Sequence, residues 1–217
     1  GTLRLDLHGS HASRIVLPHI DSFQRLYPRI HLVVGSGDRL VDLVAEGVDC
    51  VIRSGMPEDS SLSAKPLALI PEVTCASPEY LQRYGRPQHP DELTEHLAVG
   101  FFASHQDRRY PFEFLVDGAV RRIELASRID VNHADSYLAC ALRGCGLIQL
   151  PRYRVERQLA SGELIEVLAA YPSPGLPVHA LYPRHRQQSR RVRVFIDWAS
   201  QIYAERFGPL DRRQLQP

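Results

Sequence analysis

What the chain is short of narrows its function first. It has no surplus of either charge: 26 Lys+Arg stand against 25 Asp+Glu in 217 residues, a formal net charge of +1. Such balance gives no global pull toward nucleic acid or a membrane surface, although it leaves room for a local basic patch. Lysine is nearly missing, Lys65 being the only one, so every other base is an arginine. Cysteine is sparse, and Cys50, Cys75, Cys140 and Cys145 form no C-x-x-C and no zinc-ligand rhythm. They read as reduced thiols, with disulfides the reading only for an exported protein. No apolar run approaches the roughly 20 residues of a membrane span. The opening GTLRLDLHGSHAS lacks the basic, apolar and cleavage regions of a signal peptide. The expectation is a cytoplasmic protein with no membrane contact, and a chain opening directly on a strand pattern suggests a piece of something longer.

Chemistry-bearing motifs are missing as well. There is no G-x-S-x-G elbow, no cysteine with identifiable catalytic partners, and no carboxylate pair that spacing alone would set face to face. The glycine-rich stretch GSGDRLVDLVAEGVDCVIRSG (35–55) is followed by no Gly-Lys-Ser/Thr, so it is no Walker A loop. It also lacks the third glycine of a dinucleotide fingerprint. His8 and His11 make an H-x-x-H on a loop with no third ligand at helical spacing, a poor metal signal. Neither cofactor nor metal is expected.

What remains is a chain with 44% hydrophobic content, enough for a substantial core. TLRLDL and IHLVV alternate as strands, and DCVIR is a buried-strand candidate. Between them Val16, Ile20, Phe23 and Tyr27 share one helical face. Leu40, Leu43 and Val44 share another, opened by Ser36-Gly37-Asp38 and closed by Gly47. This β-α-β-α-β order makes the three strands parallel and opens their carboxyl ends on one side, where ligands of open α/β sheets bind. The middle predicts a short helix after Pro78, a strand at LAVGFF and a hairpin of PFEFLV and VRRIELAS turning at Asp117-Gly118-Ala119. RIDVN follows as a strand, then a helix through Tyr137 and Leu142 ending near Gly144. GLIQL, a helix admitted by Pro151 and ended by Gly162, and ELIEVL complete a second α/β unit. PVHALYPRH then predicts a strand, and Val192, Phe195, Ile196, Ala199, Ile202 and Tyr203 an amphipathic last helix.

FQRLYPRIHLVVGSGDRLVDLVAEGVDCVIRSG, DSSLSAKPL, VTCASPEYLQRYGRPQHPDEL, GCGLIQLP and LASGELIEVL, in that order and spacing, resemble the effector-binding domain of LysR-type transcriptional regulators. The resemblance covers nearly the whole chain. It implies an α/β, type 2 periplasmic-binding-protein-like fold: two α/β subdomains joined by two crossover strands, with a small-molecule effector in the central cleft. Subdomain I would be residues 1–73 and 177–217, subdomain II 74–176, and the amino-terminal winged helix-turn-helix would be absent from this chain. DNA would then be contacted only through that missing domain. The resemblance also implies a homodimer, and a tetramer at full length, that pairs the helix near 16–27 and its neighbouring strand with the other subdomain of a second copy. An exported solute-binding protein is the alternative, and an enzyme on the same bilobal scaffold a third reading.

The expected effector is anionic or polar, and the candidates for binding it are loop residues and helix starts, where free N–H groups and a partial positive charge collect. In HGSHAS the hydroxyl of Ser10, the amides of Gly9 and His11 and the imidazoles of His8 and His11 could grip a ligand; the plain alternative is a capped helix start with surface histidines. Ser36, Gly37 and Asp38 form a second turn. Arg53, at the end of the next strand, offers a forked guanidinium for a carboxylate or phosphate, or else pairs with Asp38 or Asp49. Ser77 borders the crossover. Asn132, His133, Asp135 and Ser136 would form the opposite wall, unless Asn132 or Asp135 merely caps its helix. Histidines beside the site would make affinity depend on pH. The cluster Arg190-Arg191-Arg193 reads as a solvated helix face rather than a DNA patch.

Overall fold

The computed structural model describes residues 1–36, 46–56, 61–102, 108–184 and 189–211. They divide into two compact units, Gly1–Ile70 with Leu176–Pro217, and Pro71–Gly175. The chain passes between them at Ile70/Pro71 and Gly175/Leu176.

In the first unit, β1 (Thr2–Leu7) buries Leu3, Leu5 and Leu7 on one face, the period of two expected of a strand. It pairs in parallel with β2 (His31–Gly35) and β3 (Cys50–Ser54). The strand β12 (Leu176–Pro183) inserts antiparallel between β3 and β4 (Leu62–Ile70), giving the order β2-β1-β3-β12-β4. The crossover after β1 is not one continuous helix. A π-turn at Ala12–Val16 and a 3-10 turn at Leu17–His19 precede α1 (Ile20–Leu26). Pro18 supplies no N–H and cannot continue an α-helical ladder through this point. Of the expected face, Val16 and Phe23 are buried and Ile20 and Tyr27 half-buried. The helix expected through Leu40, Leu43 and Val44 lies outside the described residues. The long α5 (Arg190–Phe207) buries all six residues of its expected stripe. The Phe23 ring meets those of Phe195 (5.8 Å, 78°) and Trp198 (5.1 Å, 63°) edge-on, so α1 and α5 share one aromatic core.

In the second unit, β5 (Glu72–Ala76) lies between β10 (Ile148–Pro151) and the two-residue β11 (Ile165–Glu166), both antiparallel to it. α2 (Pro78–Tyr84) follows β5. A 3-10 segment at Pro90–Glu95, which periodicity did not reveal, leads into β6 (Leu97–Phe101), paired in parallel with β9 (Ala126–Val131). The hairpin of β7 (Phe112–Val116) and β8 (Ala119–Ile123) turns at Asp117 (φ 50°) and Gly118 (φ 78°), the left-handed pair that a two-residue hairpin needs. α3 (Ala134–Leu142) covers the sheet, and after a 3-10 turn α4 (Glu156–Ser161) ends at left-handed Gly162. Leu147 donates to Leu97 O (2.9 Å) and accepts from Val99 N (3.0 Å), tying β6 to the chain entering β10.

Gly146 makes that tie possible. A Cβ there would sit 2.6 Å from the Ala98 carbonyl carbon and 2.8 Å from Val99 N, backbone atoms that cannot rotate away. Gly146→Ala is therefore expected to lower unfolding free energy by about 2–4 kcal/mol through forced backbone displacement, read from urea denaturation.

Glu72 is the buried titratable group with the clearest consequence. Ser173 Oγ donates to its Oε1 at 2.8 Å, on the second-unit side of both chain crossings. Burial outweighs that bond and, with the Glu113 carboxylate nearby, pushes the carboxyl up to about 7. The folded state thus holds the proton more tightly than the unfolded chain. The stability it contributes is complete below the ordinary glutamate range and is lost as pH rises through about 7. Glu72→Gln, which mimics the neutral acid, is expected to match the wild type near pH 5 and exceed its stability near pH 8 by about 1–3 kcal/mol, at about 1.4 kcal/mol per pKa unit. Urea titrations of both proteins across that range check the sign.

Candidate functional site

The carboxyl ends of β1, β2 and β3 carry the first-unit candidates. After Leu7 the chain turns sharply at Gly9 (φ 55°), a left-handed backbone that glycine adopts without strain. The His8 amide donates to Ile52 O (3.0 Å) and the His11 amide to His8 O (3.2 Å). The His11 amide closes the turn. The His11 side chain is likewise engaged within the fold. It is only 4% exposed, with Nδ1 2.8 Å from the Tyr203 hydroxyl and Nε2 2.8 Å from Ser54 Oγ. A ring buried with both nitrogens bonded to side chains of α5 and β3 is a structural link, because losing either partner would strand a buried polar atom. His8, Gly9 and Ser10 lie half-buried along the same turn.

Gly35 ends β2 where a Cβ would come within 3.1 Å of Asp6 Oδ2. Ser36 is exposed, and Gly37 and Asp38 lie outside the described residues. Arg53 sits half-buried near the end of β3. Its Nε and Nη2 are buried and meet no hydrogen-bond acceptor among the described residues. The acid expected beside it was Asp38 or Asp49, but Asp49 Oδ2 accepts instead from the Arg4 amide (2.9 Å). The carboxylate that favours the charged guanidinium is Asp6, set against the larger, opposing effect of burial. Nine strands later in the chain but adjacent in the sheet, His179 of β12 stands directly opposite Arg53. Its Nδ1 lies 3.0 Å from the Gly55 carbonyl, which can only accept, so Nδ1 carries the hydrogen. Burial holds this imidazole below the usual histidine range, so it favours the neutral form. Asp6 and His179 were not picked out from the sequence, and Tyr203 was read there only as part of the last helix's apolar stripe. No local signal marks them, since strand pairing brings residue 179 to residue 53.

The second unit places its candidates on two helix starts. Ser77 is 3% exposed and caps α2, its Oγ accepting from Tyr80 N at 3.2 Å. Cys75 is fully buried in the sheet, its thiol pushed up to about 12, mainly by burial. At α3 the cap is His133, whose Nδ1 accepts from Asp135 N at 3.3 Å, rather than Asn132 or Asp135. Asp135 pairs with Arg154 at 3.1 Å, while Asn132, Asp135 and Ser136 stay exposed. Behind this start lies a polar network. Gln149 receives the Glu113 amide on Oε1 (2.9 Å), donates through Nε2 to Thr74 Oγ1 (3.0 Å), and gives its own amide to the Tyr137 hydroxyl (3.1 Å). Among the described residues no group of three or more metal-ligating side chains converges. No described helix is long and apolar enough to cross a membrane.

Comparison with known proteins gives this geometry its context. A family model described as the LysR substrate binding domain matches residues 1–203. The HTH-type transcriptional regulator YhjC of Escherichia coli K12 is 39% identical over 94% of this chain and 69% of its own. The HTH-type transcriptional repressor PA14_22550 of Pseudomonas aeruginosa is 31% identical over 94% of this chain and 65% of its own. The chain thus spans about two thirds of the length of these relatives. Among solved structures, the regulatory domain of CrgA, a LysR-type transcriptional regulator from Neisseria meningitidis, superposes with a TM-score of 0.76 at 28% identity, covering 93% of this chain and 98% of that one. A family model over nearly the whole chain, relatives named as regulators and a matching fold agree: this chain is a LysR substrate-binding domain of the type 2 periplasmic-binding-protein-like fold, a regulatory module and not an enzyme.

Proposed function

We propose that this module senses a small anionic or strongly polar effector in the inter-subdomain cleft that the family fold implies, and that occupancy alters the DNA-binding geometry of a full-length cytoplasmic regulator. The observation that carries the reading is Arg53, whose buried Nε and Nη2 meet no acceptor among the described residues. Buried guanidinium donors left without acceptors are costly, and a carboxylate or phosphate would satisfy two of them at once. The half-buried turn of His8, Gly9 and Ser10 and the exposed Ser36 border the same sheet edge. In the second unit the exposed Asn132, Asp135 and Ser136 remain candidates at the start of α3. A ligand that prefers one arrangement of the module shifts its equilibrium by no more than its differential affinity, and that shift is what attached DNA readers would report.

The test is a thermal-shift screen against small carboxylates and inorganic phosphate, followed by calorimetry on any hit. A ligand at 100 times its Kd adds about 2.7 kcal/mol of apparent stability. Arg53→Ala is expected to weaken a hit by about 10- to 100-fold, or about 1.4–2.8 kcal/mol. His11→Ala is expected to lower the melting temperature of the free protein, because it unties α5 from β3. A hit whose affinity ignores Arg53→Ala would place the anion elsewhere.

We also propose self-association of the module through the first-unit surface around α1 and β2. Leu26 is 64% exposed, and Val33 and Leu17 are also exposed; burying such large apolar side chains against a second copy would remove them from water. In the second unit Ile129 is exposed on β9 and offers the second half of a two-fold pairing. Light scattering at micromolar concentration is expected to report a dimer, and Leu26→Glu to shift it toward monomer. A strict monomer at high concentration would remove this part of the reading.

A further inference from the structure

The carboxyl end of α3 closes in a Schellman motif. Cys145 N donates to Cys140 O at 3.1 Å and Gly144 N to Ala141 O at 3.0 Å, with Gly144 in the left-handed region (φ 73°). This paired six-to-one and five-to-two bonding folds the first and sixth residues back on each other, so their side chains meet, usually as an apolar contact. Here both positions are cysteine. The two cysteines both pack against the core of Val73, Tyr137 and Ile148. Both are half-buried, whereas Cys50 and Cys75 are fully buried. A disulfide needs Cα atoms about 4.4–6.8 Å apart, and the six-to-one hydrogen bond is what brings these two residues together.

We propose that Cys140 and Cys145 are a redox-active dithiol that a hydroperoxide converts to an intramolecular disulfide. The Cys145 thiolate attacks the peroxide O–O bond; an S–O bond forms, the O–O bond breaks, and the departing alkoxide leaves as the alcohol after taking up a proton. The Cys140 sulfur then attacks the Cys145 sulfenic acid, forming S–S, breaking S–O and releasing water. The two thiols lose two electrons and two protons; the hydroperoxide gains them. Burial and the neighbouring sulfur hold the Cys140 thiol above its ordinary range, which suits it to the resolving role rather than the first attack. The bond would staple the end of α3 to the strand entry at Gly146, leaving the start of the helix unconstrained. This inference does not depend on the effector reading.

Hydrogen peroxide, for which the alcohol is a second water, is the probe. Arg143 lies between the two cysteines, so trypsin cuts inside the ring. After peroxide, native alkylation and non-reducing digestion, the peptides Ile129–Arg143 and Gly144–Arg152 are expected joined, about 2 Da lighter than their sum and separated by dithiothreitol. Cys50 and Cys75 should resist alkylation until the protein is unfolded. Cys140→Ser and Cys145→Ser, each checked for native circular dichroism, should both abolish the joined species. Unjoined peptides, added oxygens on either cysteine without linkage, or disulfides between chains on a non-reducing gel would each overturn the proposal.

Discussion

The insertion of β12 between β3 and β4 is the constraint on which the first unit depends. A strand that begins at Leu176 completes a sheet whose other members end by Ile70, so the first unit is completed by chain that has passed through the whole second unit and returned. Both neighbours of β12 run antiparallel to it, and Val178 and Ala180 are fully buried. A slip of one residue would turn the buried set to the opposite face, so register is tightly specified. Register in turn places His179 against Arg53 and delivers α5 to cover the sheet. The bulge between Val178 and His179 on the β4 side absorbs one residue of mismatch without disturbing the β3 pairing.

Several polar residues that chemistry alone would assign to ligand binding are spent on holding the fold. His11 joins α5 to β3 through both ring nitrogens, Ser77 caps α2 from within the core, and His133 caps α3. In each case a buried or terminal backbone or side-chain group would otherwise lack a partner, a cost comparable to a lost hydrogen bond. Arg53 differs from these three. Its bonding capacity is not used up by the described residues, and that surplus, rather than its charge, distinguishes it.

The two units solve the same packing problem differently. The first relies on an aromatic cluster of Phe23, Phe195 and Trp198, with Trp198 Nε1 donating to Ser22 Oγ at 2.9 Å. The second carries a hydrogen-bonded polar network in its interior, in which Gln149 spans β10, β5 and β7. Such a network rigidifies when fully satisfied. In the same unit burial, aided by the nearby Glu113 carboxylate, pushes the Glu72 carboxyl up to about 7. A regulatory domain whose interior titrates in that range has a stability coupled to pH apart from any effector.

Much of the fold was legible in the sequence, because it rests on local periodicity and turn chemistry. The alternation in TLRLDL, the stripe from Val192 to Tyr203, the Asp117-Gly118 turn and the stops at Gly144 and Gly162 are each set by residues within a few positions. The collinear motifs carried the family. Where local rules competed, the weaker failed: the expected helix through Val16 breaks at Pro18, and ELIEVL contributes only Ile165–Glu166 as strand, with Leu168 at φ 55° just beyond. The site was far less legible. His8 and His11 are three residues apart and equally suited to grip a ligand, yet Tyr203 and Ser54 claim His11, and nothing near residue 11 in the chain announces either. Local sequence determines which elements form and which residues can bond; only the tertiary structure decides which bonds are already taken, because the partners arrive from strands and helices far away in the chain.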